Sequence, residues 1–275
     1  MEGKTIDTNS PQGDEKKGES LASFAWFMVK LALIVLVFRS FFFSPFSIPS
    51  ESMMPRLWNG DYLLAAKWPY GYSSHSMPFG MPLIPGRIFA SQPERGDIVI
   101  FKHPIDGVNY IKRVIGLPGD TIEVSDGLVI LNGQPLETRR IEDFAMPLSP
   151  NTGCARGGVR GEDEEGNLTC RYARFQETLP YGKSYEVLDF GLNDADDRDP
   201  IIVPEGRLFV MGDNRDNSQD SRFEALPGNG VGLVPQENLV GRASVIMWST
   251  DGSAEWILPW TWFTAARWSR IGDRL

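Results

Sequence analysis

Three stretches of this sequence carry residue types that could do chemistry. SIPSESMMPRL, from Ser47 to Leu57, brings Ser47, Ser50 and Ser52 together. VNYIKRVI, from Val108 to Ile115, sets Lys112 among apolar neighbours. MGDNRDNSQDSR, from Met211 to Arg222, crowds Asp, Asn, Ser and Arg into one segment. A lysine that is neutral near pH 7 can take the proton of a serine hydroxyl, so a Ser-Lys pair can carry out nucleophilic acyl transfer without histidine. An ordinary lysine, with a pKa near ~10.4, needs about 4.6 kcal/mol to be neutral at pH 7, and burial that lowers the pKa to roughly 5 to 6 removes that cost.

Other chemistries have less to work with. The chain has two histidines, His75 and His103, both in Pro/Gly/Ser-flanked stretches. They cannot build a histidine-rich metal site, and any Ser-His-Asp triad must use one of them. Cys154 and Cys170 bound a Gly-rich, charged segment without C-x-x-C companions. A disulfide there would require an oxidising compartment; two free buried thiols are the alternative. The formal net charge of -9 and the lack of a basic stripe argue against a nucleic-acid partner.

The elements that must position these residues read mainly as strands. If residues 108–115 form one, Val108, Tyr110, Lys112 and Val114 share a face, and Ile111, Arg113 and Ile115 share the other. Lys112 then either snorkels out at a sheet edge or is desolvated, and only the desolvated form is a usable base. Further short apolar runs at Asp97–Phe101, Thr121–Val124, Gly127–Leu131, Arg207–Met211 and Arg242–Trp248 predict a β-rich body. In the Met211–Arg222 segment, Asx-turns and an Asp220–Arg222 pair are the purely structural alternative.

Residues 1–20 are polar and aperiodic, as in a disordered tail. The composition then turns apolar, and Phe24 to Phe43 is long enough to cross a bilayer as a helix. Lys30 and Arg39 interrupt it near its ends, where each can snorkel to an interface. The run exceeds the apolar core of a cleaved signal peptide, so an uncleaved anchor is expected. Lys16 and Lys17 place the N-terminus inside and everything after Phe46 outside. Acidic clusters and the cysteine segment mark residues 138–200 as an insertion or small second domain. The expected organisation is a tail at 1–20, an anchor at 21–46, a core at 47–137 and 201–275, and an inserted domain at 138–200. The Trp-rich C-terminus suits either a membrane interface or packing on the body itself.

SIPSESMMPRL, GDYLLAAKWPYG, GDIVIF, KRVIGLPGD and GDNRDNSQDSR follow one another in this chain. In order and detail they resemble the bacterial type I signal peptidases (leader peptidases), membrane-bound serine proteases that remove signal peptides from exported proteins. The resemblance implies a mainly β fold with a smaller inserted domain and one N-terminal transmembrane helix. It also implies a catalytic domain on the outer, periplasmic face of the cytoplasmic membrane, contact with lipid, no metal or cofactor, and preprotein substrates with A-x-A signal peptides. By position, it makes Ser52 the nucleophile, Lys112 its general base, and Ser50 with the Ser52 backbone N–H the oxyanion hole. Ser218 becomes the serine that orients the lysine, with Asp213, Asp220, Arg222 and Arg113 in supporting roles. Arg56 stands where the family usually has threonine, which puts local packing of that turn in question. Two rival readings are a Ser-Lys hydrolase that cleaves itself or a regulator, and a membrane-tethered β-domain that binds envelope partners.

Overall fold

The computed structural model describes residues 21–77, 84–255 and 257–275. The tail expected at 1–20 lies outside them. One unit ends at Val37 and a second runs from Phe38 to Leu275. Helix α1, Leu21–Phe41, is 21 residues long, about 31 Å at the α-helical rise and enough to cross a hydrocarbon core. Hydropathy alone would carry the apolar segment on to Phe46. The helix instead stops at Phe41, and Phe43–Ser47 is already a strand paired with Asp61–Ala66.

In chain order the strands of four or more residues are β1 Phe43–Ser47, β2 Asp61–Ala66, β3 Ile98–Lys102, β4 Asn109–Gly116, β5 Thr121–Ser125, β6 Leu128–Leu131 and β7 Glu137–Pro147. They continue as β8 Val159–Glu162, β9 Leu168–Thr178, β10 Ser184–Leu188, β11 Arg198–Ile202, β12 Arg207–Met211 and β13 Leu239–Ser249. The largest sheet runs β1, β2, β13, β3, β4, β12, with Val234–Pro235 at its far edge. A second sheet joins β7, β9 and β8, with β10 also on β9. A third joins β11, β5 and β6 to Gln134–Pro135. The chain is mainly β, with an apolar N-terminal helix.

Local chemistry explains the hairpins. Asp126-Gly127 and Asn132-Gly133 close the turns around β6, all four residues with positive φ. That is the two-residue turn whose twist matches flanking strands. Strand β4 is buried on both faces from Ile111 to Gly116, because β3 and β12 pair its two edges while Ile111 and Ile115 on one face and Val114 on the other pack into cores. Lys112 sits opposite Val99 of β3, and Arg113 opposite Met211 of β12. The desolvated alternative for Lys112 is therefore the one the sheet order imposes.

Two adjacent methionines tie the sheets together. Met53 enters the core with Leu63, Ile98, Ile100 and Ile111. Met54 enters another with Phe144, Met146, Tyr172 and Leu188 from the second sheet. Both are fully buried, each contributing about 1.5–3 kcal/mol. They pin the turn after Ser52 from opposite sides. Cys154 and Cys170 form a disulfide of sequence separation 16 in that second sheet's region.

Candidate active site

The Ser47–Leu57 stretch leaves β1 and turns back toward β2, so Ser52 sits at the start of a tight turn held by its buried methionines. Its hydroxyl lies 2.6 Å from Lys112 Nζ. Both residues are buried, Ser52 at 8% and Lys112 at 3% exposure. Ser50 Oγ stands 3.5 Å from Ser52 Oγ. Burial lowers the Lys112 pKa to about 8; the Asp220 and Asp213 charges oppose that fall, and Arg222 adds to it. Desolvation wins because the strand is interior and Nζ has a hydroxyl, not a carboxylate, as its close partner.

A second buried lysine is displaced as far without facing a nucleophile. Lys67 is also lowered to about 8, by burial and by Arg39. Its Nζ donates to the Arg39 carbonyl at 2.5 Å and to the Ser76 carbonyl. These acceptors have no proton to give, so Lys67 fastens backbone while Lys112 faces a nucleophile.

The segment after β12 wraps this pair. The β4–β12 register puts Arg113 beside Met211, and the chain reaches Asp213 two residues later. Arg113 Nε and Nη2 donate to Asp213 Oδ1 and Oδ2 at 2.7 and 2.6 Å. Arg222 donates to Asp220 from Nε at 2.9 Å and from Nη2 at 3.0 Å. The Gly212 N–H also donates to Asp220, at 3.0 Å. Burial pushes the Asp220 carboxyl up, but Arg222 and these hydrogen bonds outweigh it and hold it below the ordinary range. Ser218 is buried close to Asp220, with its Oγ outside regular hydrogen-bond geometry to any described group, Lys112 included. A Cβ at Gly212 would overlap Ser218 Oγ and the Ser52 carbonyl, so only glycine lets the segment close this tightly.

The predicted residues Ser50, Ser52, Lys112, Arg113, Asp213, Ser218, Asp220 and Arg222 thus converge. Sequence reasoning missed Asn214. Its N–H donates to the Ser52 carbonyl at 3.1 Å and its side-chain amide to the Glu51 carbonyl at 3.2 Å, clamping the peptide groups on either side of Ser52. The signal was present, since Asn214 stands inside the segment already singled out. Arg56 also gains an account: its guanidinium donates to the Arg274 carbonyl, and its own carbonyl accepts from Arg270 at 2.9 Å. The arginine joins the turn to the C-terminal segment.

A cavity of about 360 Å³ opens beside the pair, with Ser50, Ser52 and Lys112 in a wall otherwise formed largely by Phe46, Ile48, Ile100, Tyr110 and Ile111. The arrangement offers a nucleophile, a base of lowered pKa, a second hydroxyl beside the nucleophile, and a small apolar recess.

Known proteins resemble this chain over most of its length. The profile of the family described as "Signal peptidase, peptidase S26" matches residues 21–248. Signal peptidase I of Rickettsia canadensis is 38% identical over 256 residues, covering 89% of this chain and 84% of its own. That of Rickettsia typhi is 38% identical over 242 residues, covering 84% and 80%. A crystallised signal peptidase I from Enterococcus faecalis is 28% identical, covering 56% of this chain and 98% of that one at a TM-score of 0.30.

Proposed function

The chain belongs to the signal peptidase family, peptidase S26, and on that premise we propose that it cleaves signal peptides from exported preproteins as a membrane-bound serine endopeptidase, with Ser52 as nucleophile and Lys112 as general base. The observation that carries this reading is the 2.6 Å approach of Lys112 Nζ to Ser52 Oγ between two buried side chains.

The chemistry runs as follows. Neutral Lys112 accepts the Ser52 proton as Oγ attacks the scissile carbonyl. The Ser50 hydroxyl and the Ser52 backbone N–H donate to the developing oxyanion. The Lys112 ammonium then protonates the leaving amine. A water, deprotonated by the same amine, hydrolyses the acyl-enzyme and frees Ser52. Asp213, Asp220, Arg113 and Arg222 hold the surrounding loop, and Ser218, carried on that loop, orients Lys112 when its hydroxyl turns to the amine. The small apolar cavity at the pair suits the small side chains of an A-x-A cleavage motif.

Helix α1 spans the cytoplasmic membrane once with the N-terminus inside, and the β body works on the outer face, where the Cys154–Cys170 disulfide would persist. Residues 138–200 form the inserted smaller domain, and lipid is the second partner. Cleavage of a purified preprotein by Ser52→Ala and Lys112→Ala variants tests the assignment. Both should be inactive while remaining folded, and normal cleavage by Lys112→Ala would remove the Ser-Lys mechanism.

A further inference from the structure

The second sheet reaches into the charge network behind the Ser-Lys pair. Glu177 on β9 and Tyr185 on β10 are direct cross-strand partners. Glu177 is 2% exposed, and its two oxygens accept from Arg215 Nη1 and Nη2 at 2.6 and 2.5 Å. The Tyr185 hydroxyl donates to Glu177 Oε2 at 2.8 Å, and the ring faces the Arg113 guanidinium at 4.3 Å. Arg215 in turn donates from Nε to the Gly212 carbonyl at 3.2 Å, and its own carbonyl accepts from Arg222 at 2.5 Å. The last residue of β10, Leu188, donates its N–H to the Asp213 carbonyl at 2.8 Å. One cross-strand pair therefore touches the two arginines that flank the segment clamping Ser52.

We propose that Glu177 and Tyr185 are positioning residues for the reaction, holding Arg215 and Arg113 apart so that Asp213 is left to Arg113 and the 211–222 segment stays closed on Ser52 and Lys112. The inference rests on the Ser-Lys reading above. Three buried arginines face three buried carboxylates: Arg113 with Asp213, Arg215 with Glu177, and Arg222 with Asp220. A buried guanidinium that loses its carboxylate is left as a costly uncompensated charge, and re-pairing with a nearby carboxylate lowers that cost. For Arg215 that is Asp213, which already acts on it. The competition would pull Asp213 from Arg113 and disturb Asn214, the residue that holds the Ser52 carbonyl.

The test uses the full-length enzyme in detergent with a purified preprotein, comparing wild type with Glu177→Gln, Tyr185→Phe, the double variant Glu177→Gln/Arg215→Gln, and Lys112→Ala. Glu177→Gln should lose roughly 10- to 100-fold in kcat with little change in KM, the mark of a misplaced catalytic group. It should also move the acid limb of the pH–rate profile to lower pH. An uncompensated guanidinium, and an Asp213 drawn toward it, both disfavour the Lys112 ammonium, whose other charged neighbours are Asp220 and Arg222. Tyr185→Phe should shift both readouts less, in the same direction. The double variant, neutral again, should return the limb to its wild-type position. An unmoved limb with wild-type kcat in Glu177→Gln would overturn the proposal. If that variant does not fold, unchanged readouts in Tyr185→Phe overturn it instead. Loss of cleavage in Lys112→Ala beside normal cleavage in Glu177→Gln would sink this inference alone, whereas normal cleavage in Lys112→Ala would sink the Ser-Lys reading itself.

Discussion

Lys112 can act as a base only while its amine is neutral, so the rate should follow its titration. Burial brings its pKa from 10.5 to about 8. At pH 7 that raises the neutral fraction from about one in three thousand to about one in ten, a gain of roughly 300-fold, or about 3.4 kcal/mol at 1.36 kcal/mol per pH unit. With a purified preprotein at constant ionic strength, kcat/KM should climb about tenfold per pH unit on the acid side and level off near pH 8. Lys112→Arg should be inactive throughout, because a guanidinium does not deprotonate in this range. A flat profile between roughly pH 6 and 9, or activity in Lys112→Arg, would refute the base assignment.

The same displacement has a cost in stability, and its sign is opposite to that of an ion-paired lysine. The folded pKa of Lys112 lies below the unfolded one, so the unfolded chain binds more protons between about pH 8 and 10.5 and stability rises with pH across that window. The burden is full below pH 8 and relieved above 10.5. Lys112→Met, which keeps the bulk without the charge, should therefore be more stable than wild type at pH 7, by up to about 3 kcal/mol. Denaturant unfolding at pH 7 and pH 10 measures it: the advantage must shrink at the higher pH. An equally large advantage at both would mean that packing, not ionisation, sets the difference.

Other perturbations probe the surrounding parts. If the Ser50 hydroxyl, 3.5 Å from Ser52 Oγ, donates to the oxyanion as proposed, Ser50→Ala should reduce kcat by about 10²- to 10³-fold with KM nearly unchanged; steady-state kinetics on one preprotein separates the two constants. Gly212→Ala should abolish cleavage and destabilise the fold by about 1–3 kcal/mol, since its Cβ would overlap the Ser52 carbonyl and Ser218 Oγ; kinetics and thermal unfolding report both. Arg270 pairs with fully buried Asp61, at 2.5 Å from Nη2 and 3.1 Å from Nε, and stacks on Trp58 at 4.2 Å. Arg270→Ala leaves that carboxylate hydrogen-bonded to Ser249 and the Trp58 N–H, with the Arg267 charge as its remaining electrostatic partner, and should cost about 3 kcal/mol in urea unfolding.

What could be read from the sequence, and what could not, divides by the range of the interactions. Strands β4 and β12 were legible because VNYIKRVI and RLFVM are short, largely apolar runs between turn signals. Ser52 and Lys112 were legible because each stands in a distinctive local stretch. Whether Lys112 was buried or at an edge was not, since that depends on β3 and β12 flanking β4. The end of α1 was hidden because FFFSPF stays apolar, and only its pairing with β2 makes a strand of it. Strands β7 and β9 were hidden for the opposite reason. ETRRIEDFAMP and LTCRYARFQET carry their charges mostly outward while a few positions face the core, so their composition reads as a solvated insertion. Glu177 is the extreme case. A glutamate in a polar strand is ordinarily solvated, and nothing nearby in sequence predicts that an arginine 38 residues away will meet it in the interior. The motifs carry Ser52, Lys112 and the pairs Arg113–Asp213 and Arg222–Asp220, but the carboxylate that meets Arg215 comes from a sheet whose own sequence gives no reason for it to be buried. A partner of that kind is found from the packing of the sheets, because no local pattern marks it.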